Sequence, residues 1–328
     1  KSIPKDKYKV ICIGITKKGH WVKYMGDVED IPTGKWSEHR DNVPCVLSPD
    51  PLHKGFLAIG EDGKVSQVKV DCVFPVLHGK NGEDGTIQGL FDLAEIPYVG
   101  CDLISSANCM DKELTHTILE AHGIKTAKWC TMLESELDHL DEKCDWMENE
   151  LTYPMFVKPA GTGSSVGVSK AADREALDKA LLAAAKYDKK ILVEEFIHGR
   201  EIEVAVMGND NPVASICGEI DSGADFYDYD AKYVTDTSRP YIPARIPEDV
   251  QEMVREAAIK VYTAIGCQGM SRVDFFATYE ENRVVFNEIN TIPGFTSISM
   301  YPKLFEASGI PCPDLIDQLL ECAMEVAN

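Results

Sequence analysis

Residues 269–301, GMSRVDFFATYEENRVVFNEINTIPGFTSISMY, decide how the rest of the chain is read. Two runs, 271–279 and 283–289, are rich in apolar and aromatic residues and flank the polar turn Glu280-Glu281-Asn282, the pattern of a β-hairpin. Asp274 falls on the first strand. Glu288 and Asn290 close the second at i and i+2, so they share a face. Pairing brings the three oxygen-bearing side chains together, and hard oxygen donors of this kind suit a Mg²⁺ ion that substrate phosphates also hold. Arg272, two residues before Asp274, points to the same face, where a guanidinium can hold an oxyanion. A surface hairpin with scattered charges is the plainer reading. The turn-rich loop NTIPGFTSIS directly after the acids argues for a site at the strand ends instead.

The composition narrows the partners. Of 328 residues, 44% are hydrophobic and 27% charged, which is the balance of an ordinary soluble chain with room for two or three domains. The net charge of −21 argues against nucleic acid or an anionic membrane as a main partner, so a polyphosphate ligand must be met locally by placed lysines and metal. No apolar run reaches the length of a membrane span, and no signal peptide is visible. The eleven cysteines are scattered, with no C-x-x-C pair, and read as reduced core thiols in a cytoplasmic protein.

Outside the hairpin, the start of the chain shows a buried strand at 9–15, and a first strand and helix are expected to precede it. Residues 68–77 turn continuously apolar, as a buried parallel strand does, and lead into the loop His78-Gly79-Lys80-Asn81-Gly82-Glu83-Asp84-Gly85 before a helix at 86–94. A helix at 105–122 stops at Gly123, and 129–149 is acidic and helical on balance. The strand MFVKP at 155–159 carries Lys158 into the loop Ala160–Gly167, AGTGSSVG, whose small residues let backbone N–H groups approach phosphate. This loop does not match the P-loop pattern. A helix at 173–187, strands at 191–197 and 201–207, and a helix at 247–265 complete the frame. Residues 225–234, DFYDYDAKYV, show no clear period and are read as a mobile lid. A short amphipathic helix closes the chain at 313–327.

Taken together, HGKNGEDGTIQG at 78–89, MDK at 110–112, VKPAGTGSSVGVSK at 157–170, EEFIHGRE at 194–201, YDYDAKY at 227–233, SRVDFF at 271–276 and NEINTIPGFTSISMYPKL at 287–304 resemble the D-alanine–D-alanine ligases of the ATP-grasp superfamily. The matching motifs span nearly the whole chain in family order. The resemblance implies an α/β (α+β) chain with an ATP-grasp fold in three domains: a parallel-sheet N-terminal domain at 1–104, a central subdomain at 105–198, and a C-terminal subdomain at 199–328 with metal site and lid. The departure lies at the front, where the family carries a glycine-rich loop with a glutamate for the first D-alanine.

Carried over position by position, the resemblance implies that Lys112 and Lys158 bind the α- and β-phosphates of ATP, with the loop at 161–166, including Ser165, over them. Ser164 would hold the lid closed through Tyr233, and Lys232 would meet the γ-phosphate. Glu194, with the backbone of Glu195 and Ile197, would read adenine, and Glu201 the ribose. Asp274, Glu288 and Asn290 would hold two Mg²⁺ ions, with Mn²⁺ as a substitute, and Arg272 and the Gly294 N–H would form the oxyanion site. His78, Glu83, Ser299 and Met300 would line the amino-acid pocket. The implied reaction joins two D-alanines for peptidoglycan synthesis in the cytoplasm, by a homodimer. Serine-using relatives tend to carry arginine at the position of Met300, so D-alanine is the expected acceptor and a D-alanine–D-serine ligase the alternative. A different ATP-grasp ligase or a non-catalytic nucleotide-binding regulator are the other classes. A regulator should have lost the metal ligands, and all three are present.

Overall fold

The structure, a computed structural model, describes residues 2–163, 166–221 and 239–326. The strands in chain order are β1 (Ile13–Ile15), β2 (Trp21–Lys23), β3 (Val43–Leu47), β4 (Gly55–Ile59), β5 (Val65–Lys69), β6 (Trp129–Leu133), β7 (Met155–Pro159), β8 (Ser169–Ala171), β9 (Lys190–Glu195), β10 (Gly199–Met207), β11 (Val213–Ala214), β12 (Gly218–Asp221), β13 (Arg239–Tyr241), β14 (Met270–Thr278) and β15 (Val284–Asn290). The α-helices are α1 (Thr86–Leu93), α2 (Leu103–Met110), α3 (Lys112–Ala121), α4 (Leu140–Glu150), α5 (Arg174–Ala184), α6 (Glu248–Ile265), α7 (Met300–Ala307) and α8 (Cys312–Val326). They divide into two compact units.

The first unit comprises Lys1–Pro75, Ile87–Val99 and Pro311–Asn328. Its sheet is β1-β2-β3-β4-β5 in sequence order, and every pair is antiparallel. This corrects the expected parallel sheet. The connections from β3 to β4 and from β4 to β5 are short turns, and a parallel pair needs a crossover of about a dozen residues or more. The run at 68–77 is not one strand either. Val68 belongs to β5, which ends at Lys69, and Val73 forms an isolated parallel bridge with Tyr98. Lys7 and Tyr8 both donate to Asp317, which ties the start of the chain to α8.

The second unit comprises Val76–Thr86 and Gly100–Ile310. It holds a four-stranded sheet, β6-β9-β7-β8, and a sheet in the order β13-β12-β10-β14-β15 with β11 beside β10. Helix α6 buries Val250, Val254, Ala258, Val261, Tyr262 and Ile265, a single stripe at helical spacing, into a core shared with Ile202, Val204, Val273 and Phe275 of β10 and β14. Helices α4 and α5 cover the other sheet through Met147, Leu177 and Leu181 against Met132, Met155 and Val157.

Two readings of local structure change here. The single helix expected at 105–122 is two, because Asp111 takes extended dihedrals and its side chain accepts from Leu114 N, so α3 has its own N-cap. This break sets Lys112 at the first position of α3. The stretch at 129–149 begins with a strand, not a helix. β6 pairs along its length with β9, and that pairing overrides the helical composition that α4 then expresses.

Candidate active site

The β14–β15 hairpin builds the floor of the site. Its register sets Asp274 opposite Glu288 and Arg272 opposite Asn290, so all four share one face as the alternation requires. A bulge between Asp274 and Phe275 then shifts the register, re-aiming the strand beside the acids. Asp274 is fully buried. The Arg272 guanidinium donates to both of its oxygens, Nε to Oδ1 at 2.8 Å and Nη2 to Oδ2 at 2.7 Å, a bidentate pair. Asn290 Nδ2 donates to Asp274 Oδ2 at 3.2 Å. Glu203, from the adjacent β10, lies 3.4 Å from Arg272 Nε. One guanidinium thus faces three carboxylates, those of Glu203, Asp274 and Glu288. Burial pushes the Asp274 carboxyl up and Glu203 and Glu288 add repulsion, against the pull of Arg272.

Above this floor lies an open cleft. Glu288, Asn290 and Thr291 line one side, Lys112, Thr115 and His116 of α3 another, Thr162 and Gly163 a third, and Glu83 closes it. Lys112 Nζ donates to Thr162 O at 2.6 Å and approaches Ala160 O at 3.4 Å. Its burial pushes the ammonium below the usual lysine range, while Glu288 and Glu194 pull it back. Glu83 accepts from Gly79 N, within a tight turn where Gly79 and Asn81 take positive φ. Burial, reinforced by Glu288, raises its carboxyl to about 7 against the Gly79 N–H and Arg272.

Glu194 on β9 is buried with both oxygens engaged, Oε2 by Lys158 Nζ at 2.5 Å and Oε1 by His116 Nε2 at 2.7 Å. Burial alone would raise this carboxyl, but the Lys158 ammonium and His116 outweigh it and hold it at about 2. The Glu195 N–H is committed to Lys128 O at 2.9 Å. Ile197 sits half-buried in the connection from β9 to β10, and Glu201 is half-buried on β10 opposite Phe276 and Ile220. His78 is exposed on its loop.

Ser299 precedes α7 and bonds through its hydroxyl to Thr296 N and Thr296 Oγ1, and a Cβ on Gly294 would fall 2.6 Å from that hydroxyl. Met300 is buried. Its methyl group occupies the space beside Gly218, near Leu304, so its side chain is part of the packing between α7 and β12. Ser164, Ser165, Lys232, Tyr233 and the expected lid lie outside the described residues.

The donors expected for Mg²⁺ are two carboxylates and an amide, and no group of three His, Cys, Asp or Glu that could hold a metal is found among the described residues. Of the three expected donors, Glu288 and Asn290 face the cleft and offer the hard oxygens a divalent cation takes, whereas Asp274 is fully buried with both oxygens on Arg272 and does not line it. Sequence reading missed Glu203 and His116. Glu203 was signalled by a carboxylate on the alternating strand 201–207, and His116 by its i+4 spacing from Lys112 on one helix face.

Residues 1–101 match the D-ala D-ala ligase N-terminus and residues 118–321 the D-ala D-ala ligase C-terminus. The chain belongs to the D-alanine–D-alanine ligase family. A D-alanine–D-alanine ligase of Acetivibrio thermocellus is 48% identical over 339 residues, covering 100% of this chain and 90% of the relative. Among solved structures, the VanG D-Ala:D-Ser ligase of Enterococcus faecalis superposes with a TM-score of 0.90 at 42% identity, covering 98% of this chain and 92% of that one. The D-alanine–D-alanine ligase of Coxiella burnetii superposes with a TM-score of 0.81 at 37% identity, covering 99% and 88%. The fold is that of these ligases, the ATP-grasp fold expected from the motifs. Among the described residues no helix is long and apolar enough to cross a membrane.

Proposed function

We propose that this chain is an ATP-dependent ligase that joins two D-alanines into D-alanyl-D-alanine for peptidoglycan precursors. The observation that carries the reading is the cleft that gathers Lys112, Glu83, Glu288 and Asn290 in one space, within a chain that matches the family along both its parts. The carboxylate of one D-alanine takes the γ-phosphoryl group of ATP, giving an acyl phosphate and ADP. The amine of the second attacks the activated carbonyl, and phosphate leaves as the peptide bond forms.

Lys112 and Lys158 offset the charge of the nucleotide phosphates, and Glu194, with Glu195, Ile197 and Glu201, addresses the nucleoside. Asp274, Glu288 and Asn290 would hold Mg²⁺, or Mn²⁺, which supplies charge neutralisation at the phosphates. Arg272, held on Asp274 through Nε and Nη2, would meet an oxyanion together with the Gly294 N–H. Such a donor is worth about 3–4 kcal/mol in other oxyanion holes. Glu83, His78 and Ser299 border the amino-acid site. Ser164, Ser165, Lys232 and Tyr233 belong to the same proposal, as closing elements that keep water from the acyl phosphate. The division at 1–104, 105–198 and 199–328 also stays a proposal: the two sheets on either side of residue 198 have separate cores, although Cys109 and Leu119 pack into the one that follows it. So do the cytoplasmic, homodimeric state and the absence of nucleic-acid and membrane partners.

The test is phosphate release from ATP and Mg²⁺ on adding D-alanine, with the product identified by mass. ATP turnover that does not depend on D-alanine, or no dipeptide, would overturn it. D-serine is the second reading, favoured by the likeness to a D-Ala:D-Ser ligase structure. Equal D-alanine and D-serine in competition separate the two, and a product that is mostly D-alanyl-D-serine would reverse the assignment.

A further inference from the structure

We infer that His116 is a positioning residue for nucleotide binding, which holds Glu194, and through it Lys158, in the pose that meets the nucleotide. The inference rests on the ligase reading above and adds a residue that reading does not use. His116 lies one helical turn after Lys112 on α3 and lines the same cleft. Its ring is 1% exposed. Trp129 stacks on it at 5.8 Å and 28°, and Phe286 meets it edge-on at 6.0 Å and 84°, so the ring plane is set by packing. Within that plane Nε2 reaches Glu194 Oε1 at 2.7 Å. An ionised carboxylate only accepts, so Nε2 carries the proton.

The other ring nitrogen makes the function legible. Nδ1 is buried and has no partner among the described residues. A buried polar atom without a partner is unfavourable, and a phenylalanine would fill the same space without that penalty. What the imidazole adds over a phenylalanine is the Nε2–H bond. That bond holds one oxygen of Glu194 while Lys158 Nζ holds the other, so the carboxylate is fixed at both ends and the ammonium is fixed against it. Without His116, Glu194 would be free to rotate about its last torsion and to draw Lys158 with it.

Three variants test this in the full chain: His116→Phe, which keeps the stacked ring and drops the donor; His116→Gln, which restores an N–H donor; and Glu194→Gln. The readouts are ADP affinity by calorimetry with Mg²⁺ present, and kcat and KM for ATP from phosphate release. His116→Phe is expected to weaken ADP binding and raise KM for ATP by about 10- to 100-fold, the worth of one hydrogen bond to a charged group, with kcat nearly unchanged. His116→Gln should recover most of that loss. In the Glu194→Gln background, His116→Phe should add little, because the partner it acts through is already altered.

ADP affinity in His116→Phe equal to wild type overturns the inference. So does a full additive loss in the double variant, or a His116→Gln variant as weak as His116→Phe. If wild type binds ADP but releases no phosphate with D-alanine, the ligase reading falls, and the ADP measurements still decide the role of His116. If wild type binds no ADP, both fall.

Discussion

Replacing Lys158 by methionine removes the ammonium from a buried carboxylate while keeping the length and volume of the side chain. Glu194 is held at about 2 against an ordinary 4.5. That difference corresponds to about 3 kcal/mol of folding stability, present above a pH of about 4.5 and lost as the pH falls toward 2. Removing one partner of a buried pair costs about 3–5 kcal/mol, because the charge left behind is desolvated. His116 alone then opposes the burial that pushes Glu194 up. At roughly 2–4 °C per kcal/mol for a unit of this size, Lys158→Met should lower Tm by about 6–20 °C at pH 8.

The sign of the pH dependence follows from the same change. In the variant burial, the largest effect on this carboxyl, should carry it above its unfolded value, so the contribution of this group to stability falls as pH rises. The deficit against wild type should therefore shrink between pH 8 and pH 5. The double variant Lys158→Met/Glu194→Gln leaves no buried charge and should regain most of the loss. Thermal unfolding followed by circular dichroism at the two pH values measures all of this. A Tm unchanged in Lys158→Met, or a deficit that grows as pH falls, would refute the reasoning.

Glu288→Gln removes a charge from the group around Arg272 without changing shape, so turnover should vanish while Tm holds or rises; near-normal kcat at saturating Mg²⁺ in a phosphate-release assay would sink the metal assignment. Met300→Arg was the natural route to a D-serine preference from sequence, but the Met300 methyl fills the space beside Gly218. Thermal unfolding should therefore show a loss of several degrees before any change of acceptor, and a variant of full stability that switches product in the competition assay would show that the side chain turns outward. Gly269→Ala puts a Cβ about 2.9 Å from the backbone of Gly100 at a φ of +68°, so neither the dihedral nor the space is available. A destabilisation of about 2 kcal/mol or more in urea is expected, and a neutral result would contradict the close approach of these two segments.

The hairpin was legible because strand alternation is local: Asp274, Glu288 and Asn290 fall on one face whatever else the chain does, and the register confirms it. The family motifs and the apolar stripe of α6 were readable for the same reason, since each is a short-range pattern. The order of the first sheet was not. Residues 68–77 are apolar enough for a parallel strand, and only the short turns between β3, β4 and β5 force antiparallel pairing. The strand β6 was hidden in an acidic, helical composition because its partner β9 lies about sixty residues away in the chain.

The charges at the site divide along the same line. Which residues carry charge is written in the sequence, and so is their general chemistry. How Arg272 is shared among Glu203, Asp274 and Glu288, and why Glu194 stays ionised at full burial between Lys158 and His116, depends on side chains from separate strands and a helix meeting where water is excluded. Electrostatic strength is set by distance and desolvation, and neither is a property of the sequence until the chain has folded.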